Sequence, residues 1–203
     1  MKSILLSVLL FPALLPAQNK IPEEKYRCII SADKEIYQPG ESPKIVVEIK
    51  NNSAEPLFLA KALDGSDYQW RFPHAYFTIT RIGDTSYRTK PAIRCGNVND
   101  IRPADFADIP PGTTFNPYQV FYPTRTDNYY AFDNKLFNPD NFAQPGKYLI
   151  RFYYSTKEND FKKWRGRMYG REPDPAVYQE MLTLFAKVSR MEMVSNKLII
   201  EVR

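Results

Sequence analysis

The chain has 203 residues, 43% of them apolar and 14% aromatic, with 17 prolines, eight glycines and a formal net charge of +5. This content excludes a disordered chain, because disordered chains are poor in apolar and aromatic residues. The excess of proline over glycine favours extended segments and shaped loops over helices, and no repeat or low-complexity tract divides the chain, so we expect one mainly β domain.

The N-terminus has the pattern of a secretory signal peptide. A lysine near the start is followed by an apolar stretch from Ile4 to Leu15, which is too short to span a bilayer, and by small residues before Gln18. No later segment approaches the roughly 20 apolar residues of a membrane helix, so no transmembrane segment is expected after cleavage. We therefore expect an exported protein, periplasmic or extracellular, with this organisation: signal peptide 1–17, N-terminal linker 18–24 and a single domain over 25–203.

Alternation of apolar and polar residues predicts the strands. The clearest strand, from Lys44 to Lys50, has apolar residues at every second position, the pattern of a half-buried strand: Ile45, Val47 and Ile49. Further strands are predicted at Tyr26 to Ser31, Leu57 to Ala60, Tyr76 to Ile82, Tyr87 to Arg94, Thr113 to Phe121, Leu149 to Tyr154 and Leu198 to Val202. About seven or eight strands with long connections suit an immunoglobulin-like antiparallel β-sandwich.

The two strands nearest the C-terminus divide their side chains between two faces, since successive residues of a strand point to opposite sides. In the first of them, Tyr148, Ile150, Phe152 and Tyr154 lie on one face and Leu149, Arg151 and Tyr153 on the other. The last strand repeats the pattern, with Leu198, Ile200 and Val202 opposite Ile199 and Glu201.

One helix is predicted near 174–188. Asp174 can cap its N-terminus and Pro175 can occupy its first turn. Apolar residues follow at spacings that place them on one helical face: Val177, Met181, Leu184, Phe185 and Val188. We expect this face to pack on the β core, with a partner-binding helix as the alternative.

Three proline-glycine corners punctuate the chain at Pro39-Gly40, Pro111-Gly112 and Pro145-Gly146. Corners of this kind place a tight turn beside a β-rich run. The stretch from Tyr37 to Ser53, which reads Tyr-x-Pro-Gly-Glu, alternating strand and Asn-x-Ser, resembles the first strands of secreted bacterial immunoglobulin-like domains. It is also similar to macroglobulin-type domains and to the bacterial intracellular proteinase inhibitor family. The resemblance implies a β-sandwich, and it implies that Tyr148 is a tyrosine-corner residue whose hydroxyl bonds to upstream backbone.

The two cysteines, Cys28 and Cys95, suggest a disulfide, because an exported chain meets oxidising conditions and an even count leaves no unpaired thiol. A bridge would close a loop of nearly seventy residues and stabilise the fold by about 4 kcal/mol in the chain-entropy model. The alternative is a pair of inert buried thiols. Metal binding by this pair is not expected, because the spacing fits no zinc pattern and His74 is the only histidine.

The basic excess is concentrated between Lys157 and Arg171. This segment has a net charge of +4, and it interleaves aromatic residues with its cations. Cations attract an anionic partner and aromatic rings offer flat contact area. The predicted binding residues are Lys162, Lys163, Trp164, Arg165, Arg167, Tyr169 and Arg171. The alternative is a solvated segment whose aromatics fold onto the sheet edge.

The chain lacks the motifs of several enzyme classes. There is no G-x-S-x-G elbow, no glycine-rich phosphate loop and no activated cysteine context, so we expect neither catalysis nor a cofactor. We expect a noncatalytic binding domain whose partner is another exported protein or an anionic glycan, not nucleic acid. A protease inhibitor presenting a loop and a small carboxylate-based hydrolase are the alternatives. The oligomeric state is left open.

Overall fold

The computed structural model describes residues 24–60, 69, 71–92, 101–116, 137–165 and 174–203, so the leader predicted over 1–17 lies outside the described residues. Within them the protein is mainly β, with ten strands and one α-helix. The strands are β1 (Tyr26–Ala32), β2 (Ile36–Tyr37), β3 (Ile45–Asn51), β4 (Leu57–Ala60), β5 (His74–Arg81), β6 (Phe106–Ile109), β7 (Thr114–Phe115), β8 (Gly146–Ser155), β9 (Glu192–Val194) and β10 (Leu198–Val202), and the helix is α1 (Pro175–Lys187).

The strands form three sheets. A three-stranded sheet has the order β1-β3-β7, and a five-stranded sheet has the order β2-β10-β8-β5 with β9 also paired to β8. The third sheet consists of β4 and β6. All pairings are antiparallel except that of β2 with β10, which is parallel. The ten strands exceed the seven or eight predicted because β2, β6 and β9 are too short to show an alternating pattern.

The three sheets contribute to one main hydrophobic core. Its centre is β8, where the residues predicted to share one face are all buried: Tyr148, Ile150, Phe152 and Tyr154. Ile30 and Ile49 contribute from the three-stranded sheet, and Leu57 and Leu59 from β4. Burial of apolar surface at this scale is the main force that holds such sheets together.

One side chain between β9 and β10 ties the five-stranded sheet to the three-stranded sheet, and a second one completes the hydrogen bonding of β8. Three residues, Ser195, Asn196 and Lys197, separate the stretches of β9 and β10 that pair with β8. The Asn196 side chain reaches β1, accepting from Ile30 N at 2.7 Å and donating to Ile30 O at 3.1 Å. Ser195 Oγ accepts from Phe152 N at 2.9 Å, so this backbone N–H of β8 has a hydrogen-bond partner even where the regular strand pairing stops.

The helix belongs to a second hydrophobic cluster beside β4 and β6. The buried residues of this cluster are Ala60, Phe72, Ile101, Phe106, Phe161, Trp164, Met181, Phe185 and Val188. Asp174 caps the helix by accepting from Ala176 N at 2.8 Å and from Val177 N at 3.3 Å. Met181, Phe185 and Val188 are buried, in agreement with the predicted apolar face. Val177 is the exception: it is 38% exposed, and the first turn is covered by half-buried Tyr178 instead.

The strand predicted at Tyr87 to Arg94 is wrong over residues 87–92, and residues 93–94 lie outside the described residues. The segment lies beside β5, but Thr89 Oγ1 takes the place of a backbone partner, accepting from Ile79 N at 3.2 Å and donating to Ile79 O at 2.8 Å. Pro91 has no N–H and so cannot continue a ladder. Of the strand predicted at Thr113 to Phe121, β7 is present and residues 117–121 lie outside the described residues.

The proline-glycine corners have two different geometries. At Gly40 and Gly112 the backbone φ is +80° and +72°, and each glycine is the third residue of a four-residue turn closed by a backbone hydrogen bond. This is the type II turn, which favours glycine at that position. Gly146 differs because the Arg81 guanidinium closes its corner by donating to Pro145 O at 2.7 Å, and a side chain at Gly146 would meet Arg81 Nε at 3.0 Å.

Tyr148 lies directly after the third corner and is 1% exposed. Its hydroxyl donates to Gln144 O at 2.6 Å, a hydrogen bond to upstream backbone. The assignment of a tyrosine corner, which also requires the family topology, stays a prediction.

Cys28 is buried, and burial raises the pKa of its thiol to about 12. Its predicted partner, Cys95, lies outside the described residues, so the disulfide stays a prediction. No helix in the described part of the chain is long and apolar enough to cross a membrane.

Candidate interaction surface

The basic segment predicted as a binding site is described from Lys157 to Arg165. A 3-10 turn over Phe161–Lys163 exposes Lys162 and Lys163, with Asp160 capping the turn by accepting from Lys162 N at 2.9 Å. The remaining predicted residues of the segment lie outside the described residues: Arg167, Tyr169 and Arg171.

The aromatic residues of this segment face inward. Trp164 is 0% exposed and Phe161 is 5% exposed. The Trp164 ring lies 5.2 Å from the Phe185 ring of α1, and its Nε1 donates to Glu158 O at 3.0 Å. The prediction that Trp164 offers contact area to a partner is therefore wrong, because the indole is already enclosed by the second hydrophobic cluster.

Several cations of the segment are engaged within the protein. Lys163 Nζ lies 2.7 Å from Glu158 Oε2, and this hydrogen bond lowers the pKa of Glu158. Lys157 Nζ lies 2.5 Å from Glu192 Oε1. The Arg165 guanidinium lies 5.6 Å from the centre of the Tyr178 ring. The described part of the segment is therefore a structural connection to α1 with a partly neutralised surface.

A different surface has the character of a contact site. It is the face of the five-stranded sheet opposite the core, which we call the outer face. Its centre is formed by Leu149, Arg151 and Tyr153 of β8, which alternate with the buried residues. The register places these neighbours beside them: Tyr76, Thr78 and Thr80 on β5, Val194 on β9, Ile199 on β10, and Ile36 on β2 beyond Glu201.

Apolar exposure is concentrated on this face. Three of the six large apolar side chains described as exposed belong to it, namely Ile36 at 43%, Val194 at 47% and Ile199 at 52%. Val46, on the three-stranded sheet, is also 49% exposed, but its register partner there is Ser31 and the next residue on its face is Glu48. Scattered apolar residues are ordinary on protein surfaces, whereas adjacent ones mark interaction sites.

Two tyrosines extend the apolar surface. Tyr76 and Tyr153 are register partners on β5 and β8, and their rings stack with centroids 5.1 Å apart and planes inclined by 6°. Partial burial raises the pKa of Tyr76, and the neighbouring Tyr153 raises it further by a smaller amount. The pair presents aromatic edges and hydroxyl groups together, the combination that is enriched where proteins contact each other.

Arg151 is the central charge of the outer face. It lies between Leu149 and Tyr153 along β8 and opposite Thr78 on β5. Its Nε is buried and has no hydrogen-bond partner among the residues that the structure describes. A buried N–H without an acceptor is uncommon and unfavourable, because it has lost water without gaining another partner.

Charged residues lie at both ends of the apolar centre. At one end Lys147 is the register partner of Glu201, whose carboxylate accepts from Arg203 Nε at 2.8 Å. At the other end Lys157 pairs with Glu192. An apolar aromatic centre with a polar rim is the usual organisation of a protein–protein interface.

The sequence did contain a signal for this surface. In β8 and β10 both alternating sets include apolar residues, since Leu149, Tyr153 and Ile199 lie opposite the core set. A strand that is apolar on both faces is typical of a strand covered on both sides. Sequence reasoning assigned the second set to a face but attached no function to it.

The only histidine, His74, has a packed position. Its ring stacks on Phe72 with centroids 3.7 Å apart, and burial lowers its pKa. Among the described residues, no group of three histidine, cysteine or acidic side chains could hold a metal ion. No family model, curated protein or solved structure matches the chain.

Proposed function

We propose that this protein is an exported, noncatalytic domain that binds another protein through the outer face of its five-stranded sheet. The observation that carries the proposal is the set of exposed aliphatic side chains on this face, Ile36, Val194 and Ile199, together with the half-buried, stacked pair of Tyr76 and Tyr153. Export rests on the leader pattern over residues 1–17.

We assign the fold to the immunoglobulin-like sandwich class as part of the same proposal. In its support, the buried faces of the three-stranded and five-stranded sheets contribute to one core, and Asn196 joins their edges. The type II turns at Gly40 and Gly112 and the Tyr148 hydrogen bond fit the same class. Such sandwiches commonly serve as binding scaffolds, and the site decides the partner.

A protein partner fits the outer face better than an anionic glycan does. A glycan site would need exposed cations beside exposed rings, and the basic segment keeps Trp164 and Phe161 buried. The outer face instead combines aliphatic side chains, stacked tyrosines and a single central arginine, and tyrosine and arginine dominate the energetics of protein interfaces.

In the test, the wild type and two variants are each used to capture binding proteins from the envelope fraction of the producing cells. The face variant carries Val194→Gln and Ile199→Gln, and the control variant carries Val46→Gln and Val177→Gln, which change two other exposed apolar residues outside the outer face. We expect a protein retained by the wild type and the control variant to bind the face variant about 100-fold more weakly, because two apolar contacts are replaced by amides.

Binding of the identified protein is then measured by titration, and thermal unfolding shows that all three chains are folded. The same retained proteins on all three chains, or loss of binding only in the control variant, would exclude the outer face. Retention of a polysaccharide in place of a protein would show that the partner is a glycan.

A further inference from the structure

The guanidinium of Arg151 is incompletely satisfied within the described part of the chain. Its Nε is buried without an acceptor, and no ion pair is formed by its side chain there. Thr78, its register partner, offers a hydroxyl group and no charge. The neighbours along the outer face of β8 are Leu149 and Tyr153, so an aliphatic and an aromatic side chain flank the cation along the strand. On the other side of β8, the polar residues Ser195, Asn196 and Lys197 lie between the paired residues Val194 and Leu198.

The acidic residues at the two ends of the outer face have their own cations. Glu201 is bound by Arg203, which lowers the pKa of Glu201, and Glu192 is paired with Lys157. Two residues along a strand cover roughly 7 Å, and each of these acids lies about four residues from Arg151 in register, beyond direct contact.

A guanidinium is the side chain best suited to hold a carboxylate from another molecule. Its planar fork of N–H donors matches the two carboxylate oxygens, and it is more weakly hydrated than an ammonium group. Enclosure by aromatic and aliphatic neighbours excludes water and strengthens such a pair. The same single charge disfavours a symmetric second copy centred on this residue, because two Arg151 side chains would then face each other.

We propose that the partner presents an aspartate or glutamate carboxylate, set among apolar side chains, which Arg151 holds with its guanidinium. This inference rests on the proposed function, since it specifies the chemistry of what the outer face binds. The carboxylate pairs with the terminal Nη groups of Arg151, since the buried Nε is out of reach of another molecule, and the surrounding apolar contacts exclude water from the pair.

The experiment selects binders from a random dodecapeptide library displayed on phage, using the full chain as target. Counter-selection against the Val194→Gln/Ile199→Gln variant keeps only peptides that need the outer face. We expect the selected peptides to carry an acidic residue flanked by apolar residues. Arg151→Gln should weaken their binding about 30-fold or more, and Arg151→Lys should give an intermediate loss, because it keeps the charge but not the fork.

A charge exchange gives the strictest readout. Arg151→Glu should abolish binding of the acidic peptide and should bind the same peptide with its acid replaced by arginine. Unchanged melting temperatures of the Arg151 variants exclude misfolding as the cause. Outer-face peptides without an acid, or peptides insensitive to Arg151→Gln, would overturn the carboxylate assignment and leave the proposed function standing. A library that yields no peptide distinguishing wild type from the face variant would overturn both.

Discussion

Replacing Trp164 by alanine is expected to destabilise the protein by about 3–5 kcal/mol, the range for removal of a buried aromatic side chain. The indole is 0% exposed and packs between Phe72 and Phe185, with ring centroids 6.0 Å and 5.2 Å away. The Arg190 guanidinium lies 5.4 Å from the Trp164 ring and donates to Phe185 O at 3.1 Å, so one cation covers the indole and the end of α1 together. The loss is measured by urea unfolding monitored by circular dichroism.

Two further variants test whether the loss of stability in Trp164→Ala comes from the buried ring. Trp164→Phe keeps an aromatic ring and should be less destabilising than alanine, whereas Lys162→Ala, two residues away and exposed, should leave the stability nearly unchanged. A fully stable Trp164→Ala protein that had lost retention on an anionic matrix would contradict this account. It would restore Trp164 as a binding residue.

Replacing Phe152 by alanine should also cost about 3–5 kcal/mol, because this residue lies at the centre of the main core. Phe152 is 0% exposed, and its ring centroid lies 5.0 Å from that of Phe77 on the neighbouring strand. The midpoint of urea unfolding should fall accordingly.

Leu149→Ala is the matched control, since Leu149 lies on the same strand but points to the outer face. It should cost about 1 kcal/mol or less, because a half-exposed side chain buries little area in the isolated protein. Equal losses for Leu149→Ala and Phe152→Ala would mean that something in the chain itself covers the outer face, and the surface would no longer be free for a partner.

The sequence predicted the long elements because they contain enough residues to show a period. Alternation over β3, β8 and β10 identified their buried sets, and the spacing of Met181, Phe185 and Val188 identified the helix and its packed face. The strands that it missed have two to four residues, too few to distinguish alternation from chance. The prediction of a strand after β5 failed for a different reason, because the hydroxyl of Thr89 there takes the place of a backbone hydrogen-bond partner.

The site was harder to predict than the fold. Trp164 stands among cations in the sequence, but its environment is decided by Phe185, which lies 21 residues later and reaches it only after α1 has packed. The outer face was hard to predict because its residues are far apart in the sequence. Its residues come from β2, β5, β8, β9 and β10, and only the strand order places Tyr76, Tyr153 and Val194 in one row.

Site-specific photo-crosslinking in the producing cells shows whether the outer face contacts a partner protein. A benzophenone amino acid is placed at Ile199 in one chain and at Val46 in another, two positions that are 52% and 49% exposed on different sheets. We expect a discrete protein adduct from position 199 and none from position 46. An adduct from position 46 alone, or none from either position, would contradict it.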